Sequence, residues 1–182
     1  MRQYHFLSAD WTASSGDEPA WTVGETRTIE GDVSLCRRGY HASPSWLDAL
    51  GYAPGPVACL VEVDPVEVDD TAGQRKVVSR TRTLVAGRDC SRELRLFAAD
   101  CAERALQQEK AAGREPDPRS WAAVEAARAY ARGEIDDDRL DAAWAAARAA
   151  ARTAARTAAR DAEIAWQSER LAWLLDSALG VS

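Results

Sequence analysis

The order of patterns along the chain predicts an α+β fold. A small mixed or antiparallel sheet fills the N-terminal half, and an Ala-rich helical hairpin or three-helix bundle follows. Three observations carry this. Short apolar, β-branched runs bounded by turn residues recur as far as Val85. The composition changes at Gly87-Arg88-Asp89. Beyond that point apolar residues recur at i, i+3 and i+4. The 182 residues therefore divide into an α+β domain over 1–88 and a helical region over 89–182 packed on it.

Tyr4-His5-Phe6-Leu7-Ser8 reads as the first strand. A polar loop over 10–19 has Ser14-Ser15-Gly16-Asp17 at its centre. Trp21 to Ile29 holds a Gly-marked turn and then a short extended segment. The organising stretch is 33–63. Val33-Ser34-Leu35-Cys36 is a short apolar run that reads as strand, with Cys36 in the core. Arg37-Arg38-Gly39 is a turn, since glycine tolerates positive φ. Tyr40-His41-Ala42 is a second extended piece. Ser43 and Pro44 suit an N-cap and a first helical position. Trp46, Leu47 and Leu50 form the apolar face of a short helix that Gly51 ends. Val57-Ala58-Cys59-Leu60-Val61-Glu62-Val63 is continuous, apolar and β-branched, the strongest strand signal in the chain. The acidic segment 64–73 reads as a solvated turn, and Lys76 to Val85 as another strand.

Ser91 opens a helix carrying Leu94, Phe97, Ala98, Cys101, Ala105 and Leu106 on one face. Its expected place is against the sheet. The segment 113–118 breaks that helix and Asp117-Pro118 starts the next, with Trp121, Val124 and Ala127 inward. Asp136-Asp137-Asp138 places three carboxylates at the positive end of a last helix. That helix is expected over about 138–179, roughly 60 Å if unbroken. Its middle is almost wholly Ala and Arg, which favours helix without tertiary help.

The net charge of −6 and pI of about 5.0 argue against a general nucleic-acid or membrane-surface binder. No run reaches the length of a membrane span and no signal-peptide core opens the chain, so a cytoplasmic location is expected. Four cysteines without a CxxC pair read as reduced, small apolar residues. No zinc-like spacing, calcium loop, GxGxxG, P-loop, HExxH or GxSxG pattern is present, so no metal is expected. Arg148, Arg152, Arg156 and Arg160 recur at i+4 and form a slowly winding basic stripe. This reads first as a solvated face whose aliphatic stems shield alanine, and otherwise as a site for an acidic surface or phosphates.

The string Leu35-Cys36-Arg37-Arg38-Gly39-Tyr40-His41-Ala42, with Leu50-Gly51-Tyr52 and Leu60-Val61-Glu62-Val63, resembles an uncharacterised domain family of phages and actinobacteria. At the level of element order the same region is similar to ADP-ribosyltransferases. That resemblance implies NAD as a ligand, Tyr40 stacking on the nicotinamide, and His5 or His41 on a ribose or phosphate. The catalytic Glu of those enzymes has no counterpart on the late strand, where Ser79, Arg80 and Arg82 stand. His5, Tyr40 and His41 are thus the candidate catalytic residues, and the four arginines the candidate binding residues. The leading expectation is a non-catalytic accessory protein of phage or mobile-element type, without a cofactor. It would dock on a host or phage protein, or on itself, through the helical tail. The alternative is an ADP-ribosyltransferase-like domain that binds NAD or a related nucleotide. Nucleic-acid binding through the stripe ranks third.

Overall fold

A computed structural model describes residues 1–13, 18–71, 75–136, 138–139 and 160–181, the side chains of 160–162 excepted. The architecture is α+β, as the patterns predict. Five strands, β1 (Arg2–Leu7), β2 (Thr26–Thr28), β3 (Tyr40–Ala42), β4 (Val57–Asp69) and β5 (Lys76–Asp89), form one sheet. Four helices are described: α1 (Trp46–Leu50), α2 (Ser91–Ala111), α3 (Pro118–Ala131) and α4 (Arg160–Leu179). The chain divides into two compact units, Met1–Ser91 with Ser168–Ser182, and Arg92–Gln167. The segment grouped with the sheet is therefore the C-terminal part of α4.

In the first unit every strand pairing is antiparallel, in the order β1-β4-β5-β2, with β3 on β5 beside β2. Tyr4 and Ser43 exchange two backbone hydrogen bonds of 2.9 Å, so the end of β3 returns to β1 and closes the circuit. β4 is buried from Val57 to Val61 because both its faces are covered. On one face Val57, Cys59, Val61 and Val63 join Leu7, Trp21, Tyr40, Ala42, Val77 and Leu84. On the other, Phe6 lies opposite Ala58 in register and Tyr4 opposite Leu60. Trp46 of α1 packs on Phe6 and Tyr4 at centroid distances of 5.7 and 4.4 Å. Its indole donates to Asp176 of α4 at 2.8 Å, and Arg88 donates to the Ala178 carbonyl at 2.8 Å. Leu171, Leu174 and Leu175 of that helix are buried.

Three local expectations are corrected. The segment 64–69 is not a turn: β4 runs on through Pro65 to Asp69. Register shifts at Val63/Pro65 and Pro65/Glu67 admit the proline, and β1 pairs only as far as Glu62, so no β1 partner is waiting for its missing N–H. Ser79 Oγ fills this irregularity: it stands 2.7 and 2.8 Å from the Asp64 and Thr81 carbonyls, which compete for its one proton, and it accepts the amides of both residues at 3.2 Å. The 33–36 run is a tight turn bridged from Ser34 to Arg38, not a strand, and Cys36 is exposed with φ 62°. The cap of α1 is Ser45, whose hydroxyl accepts the Asp48 N–H, while Ser43 is spent on β1.

The second unit holds α2 and α3. Asp117 caps α3 with its carboxylate on the Arg119 N–H at 2.8 Å, and Pro118 takes the first turn. Ala99, Val124 and Ala127 form its core, with Leu106, Tyr130 and Ile135 against them. The Asp136 carboxylate accepts the Arg139 N–H at 3.0 Å, as a helix start there requires. The expected single helix over 138–179 falls partly outside the described residues.

Candidate functional site

A cavity of about 620 Å³ opens in the first unit, within the size range of small-molecule sites. His5, Tyr40 and His41 all line it. β1 supplies His5, which lies opposite Cys59 in register and so faces the Trp21–Tyr40 side of the sheet. β3 supplies Tyr40 and His41. Gly39 ends the preceding turn at φ 129°, where a Cβ would run into Val78 Cγ2 and stand 3.2 Å from the Ser79 carbonyl. Only glycine brings Tyr40 into this position without displacing β5.

The residue that pattern reading missed is Arg82. It lies on β5 at the cavity wall, 3% exposed. Its guanidinium stands 4.3 Å from the Trp21 ring centroid and 4.8 Å from that of Tyr40. Among the described residues its guanidinium makes one hydrogen bond, a long one of 3.4 Å to the His41 carbonyl, and finds no carboxylate within ion-pair distance. Burial lowers it to about 10, which leaves it cationic near neutrality. A signal was present. Arg82 precedes the buried Leu84 by two residues, and period-two alternation puts both on one face.

Around Arg82 the polar groups are ordered. Glu18 accepts the Tyr40 hydroxyl at 3.0 Å and lies 3.6 Å from Arg27. Arg27 is held by Glu25 at 2.6 Å and by the Pro19 and Ala20 carbonyls, and it covers Trp21 at 4.1 Å. Trp21 thus carries two guanidiniums. Burial, and then the Glu18 hydrogen bond, push the Tyr40 hydroxyl up to about 12, so it stays protonated. Burial holds His5 well below the ordinary imidazole range, with Arg82 and His41 adding to the effect. Its Nε2 has no hydrogen-bond partner among the described residues. His41 is lowered as well, by burial first and then by Lys76 and Arg82, against a raising hydrogen bond to the Gly39 carbonyl. At the mouth, Lys76 hydrogen-bonds the Tyr52 hydroxyl at 3.3 Å and also meets Cys36.

The site is therefore a cavity with neutral imidazoles, protonated phenols and an excess of cations: Arg82, Arg37, Arg38 and Lys76 against Glu18. It can hold an anion. His41 is not a base for Cys36, because its Nε2 accepts the Cys36 backbone N–H at 3.0 Å. Arg148, Arg152 and Arg156 lie outside the described residues, as does the Arg160 side chain. Among the described residues no three His, Cys, Asp or Glu groups cluster as metal ligands, and no helix is long and apolar enough to cross a membrane.

A family model described as Domain of unknown function (DUF7666) matches residues 1–94. This is just over half of the 182 residues, and the chain belongs to that family. No curated protein and no solved structure matches the chain.

Proposed function

We propose that this DUF7666 member binds a small anionic molecule in the cavity of its N-terminal unit, with Arg82 as the central contact. The observation that carries this is a guanidinium 3% exposed, on a cavity wall, with no carboxylate in ion-pair contact among the described residues. A buried charge costs free energy unless it is paired, so it persists where a ligand or a function supplies the counter-charge. A nucleoside diphosphate such as ADP-ribose, or NAD itself, is the first class to try, because the element order resembles that of ADP-ribosyltransferases. In this reading Tyr40 holds Arg82 by its ring and Glu18 by its hydroxyl. The activity is binding. A carboxylate on the late strand, which transferase chemistry would use, has no counterpart beside Arg82. Calorimetry with ADP-ribose, NAD and sulfate tests the proposal. Heat is expected with at least one of them, and its loss in Arg82→Met. No heat at millimolar concentrations of any of the three would sink it.

A second proposal keeps the C-terminal helix as a docking element for another copy of this chain. Trp173 is 61% exposed on α4, an unusual position for an indole on a solvated helix. Light scattering should then show a dimer that Trp173→Ala dissociates; a monomer at high concentration contradicts it.

A further inference from the structure

The turn over 34–38 carries Arg37 and Arg38 to the cavity, and two side chains outside it accept its backbone amides. The consecutive amides of Leu35 and Cys36 donate to Glu67 Oε2 at 3.1 Å and to His41 Nε2 at 3.0 Å. Cys36 sits in the left-handed region at φ 62°, an uncommon conformation for a non-glycine residue. We infer that His41 is a positioning residue for the basic rim of the cavity: its unprotonated Nε2 latches the turn, and protonation of that nitrogen releases the turn with its two arginines. The effect on ligand affinity rests on the anion-binding reading above, whereas the release itself does not.

The chemistry follows from the ring. Because Nε2 accepts the Cys36 N–H, the neutral ring carries its proton on Nδ1. An imidazolium bears N–H groups at both positions, so its Nε2–H would face the Cys36 N–H, donor against donor. The groups around His41 are largely cationic. β5 presents Lys76 and Arg82, and the turn presents Arg37 and Arg38. β1 presents the neutral His5, and Tyr52 follows α1. Among the described carboxylates, Glu18 and Glu67 are engaged with Tyr40 and Leu35. Burial, with Lys76 and Arg82, holds His41 unprotonated near neutrality, and its lowered value puts the release below the ordinary imidazole midpoint of about 6.5. The sign of the consequence is distinctive. Added positive charge alone would tighten an anion as pH falls. Release of the turn loosens it.

Amide hydrogen exchange on the full chain tests the latch directly. The Cys36 amide should be protected at about pH 7.5 and lose about tenfold or more of that protection by about pH 5, after correction for intrinsic rates. The Tyr4 and Ser43 amides, which are bonded to backbone, serve as references and should not follow. His41→Gln retains an acceptor that does not titrate, so protection should persist at both pH values. His41→Phe should lack it at both. Calorimetry with ADP-ribose should show affinity falling toward acid in the parent and level in His41→Gln. Equal Cys36 protection at both pH values in the parent overturns the latch, and so does an acid loss that survives in His41→Gln. Absence of ADP-ribose heat at neutral pH removes that ligand, while exchange still decides the latch. If a variant does not fold, the pH profile of the parent decides alone.

Discussion

Arg82 and Arg128 are both partly or wholly enclosed arginines, and they are treated in opposite ways. Arg128, in the helical unit, meets Asp100 at 2.9 Å, Glu103, and Glu125 at 3.3 Å, and these partners raise it above its ordinary value. Arg82, in the sheet unit, is more deeply buried, has no carboxylate in ion-pair contact among the described residues, and is lowered. The contrast extends to the surroundings. The buried polar residues among those described, Gln3, Ser43, Asp48, Ser79 and Arg82, all lie in the sheet unit, whereas the helical unit buries apolar residues and alanine. A helix pair that satisfies its charges at the surface is built for stability. A sheet that retains a buried cation without a direct ion pair among the described residues, beside a cavity, carries a cost that suits a ligand site.

The largest way to break this comparison is to remove the end of α4. Trp46–Asp176, Arg88–Ala178 and three buried leucines tie that helix into the sheet unit. A chain ending at residue 94, the limit of the family match, should lose its cooperative melt. A folded, monomeric fragment with the melt of the parent would show that the sheet stands without α4. Next in size, Trp46→Ala and Phe97→Ala test one buried aromatic in each unit. Each should cost about 3–5 kcal/mol by denaturant titration. A Phe97→Ala loss below about 1 kcal/mol would mean that the helical unit relaxes around the gap.

Acid should separate the units by a smaller amount. His5 has its folded value depressed, so below about pH 6.5 the unfolded chain binds the proton that the fold refuses. Stability therefore falls as pH drops through that range, by up to about 1.4 kcal/mol per pH unit for one such group. His5→Asn should flatten the slope between about pH 6.5 and 5. An unchanged slope would place the acid sensitivity elsewhere.

Much of the fold was legible in the sequence because its signals are local. The 57–63 strand, the Gly39 turn, the Asp117-Pro118 helix start and the Ser91 boundary all depend on residues within a few positions of one another. The errors came where long-range pairing overrode local chemistry. Asp64-Pro65 is turn-like in isolation, yet a hairpin with β5 and an absent β1 neighbour let it continue as strand. Leu35-Cys36 is strand-like in isolation, yet Glu67 and His41 bend it into a turn. Of the site, His5, Tyr40 and His41 were singled out individually, and the structure places all three on one cavity. Arg82 was noted only as one of the late-strand residues standing where a carboxylate was sought, and its facing was not read. The alternation with Leu84 puts it inward.

One measurement tests the central claim most directly: parallel thermal melts of the parent, Arg82→Met and Arg128→Met, with and without ADP-ribose. Arg128→Met strands Asp100 and Glu103 and should lower stability by about 1 kcal/mol, while keeping the ligand-induced rise in Tm. Arg82→Met removes a buried charge that has no ion pair among the described residues but keeps an apolar stem, so it should melt at or above the parent and show no rise with ligand. An Arg82→Met protein that melts well below the parent yet still gains stability from ADP-ribose would contradict the account, making Arg82 a structural residue and leaving the cavity without its anion contact.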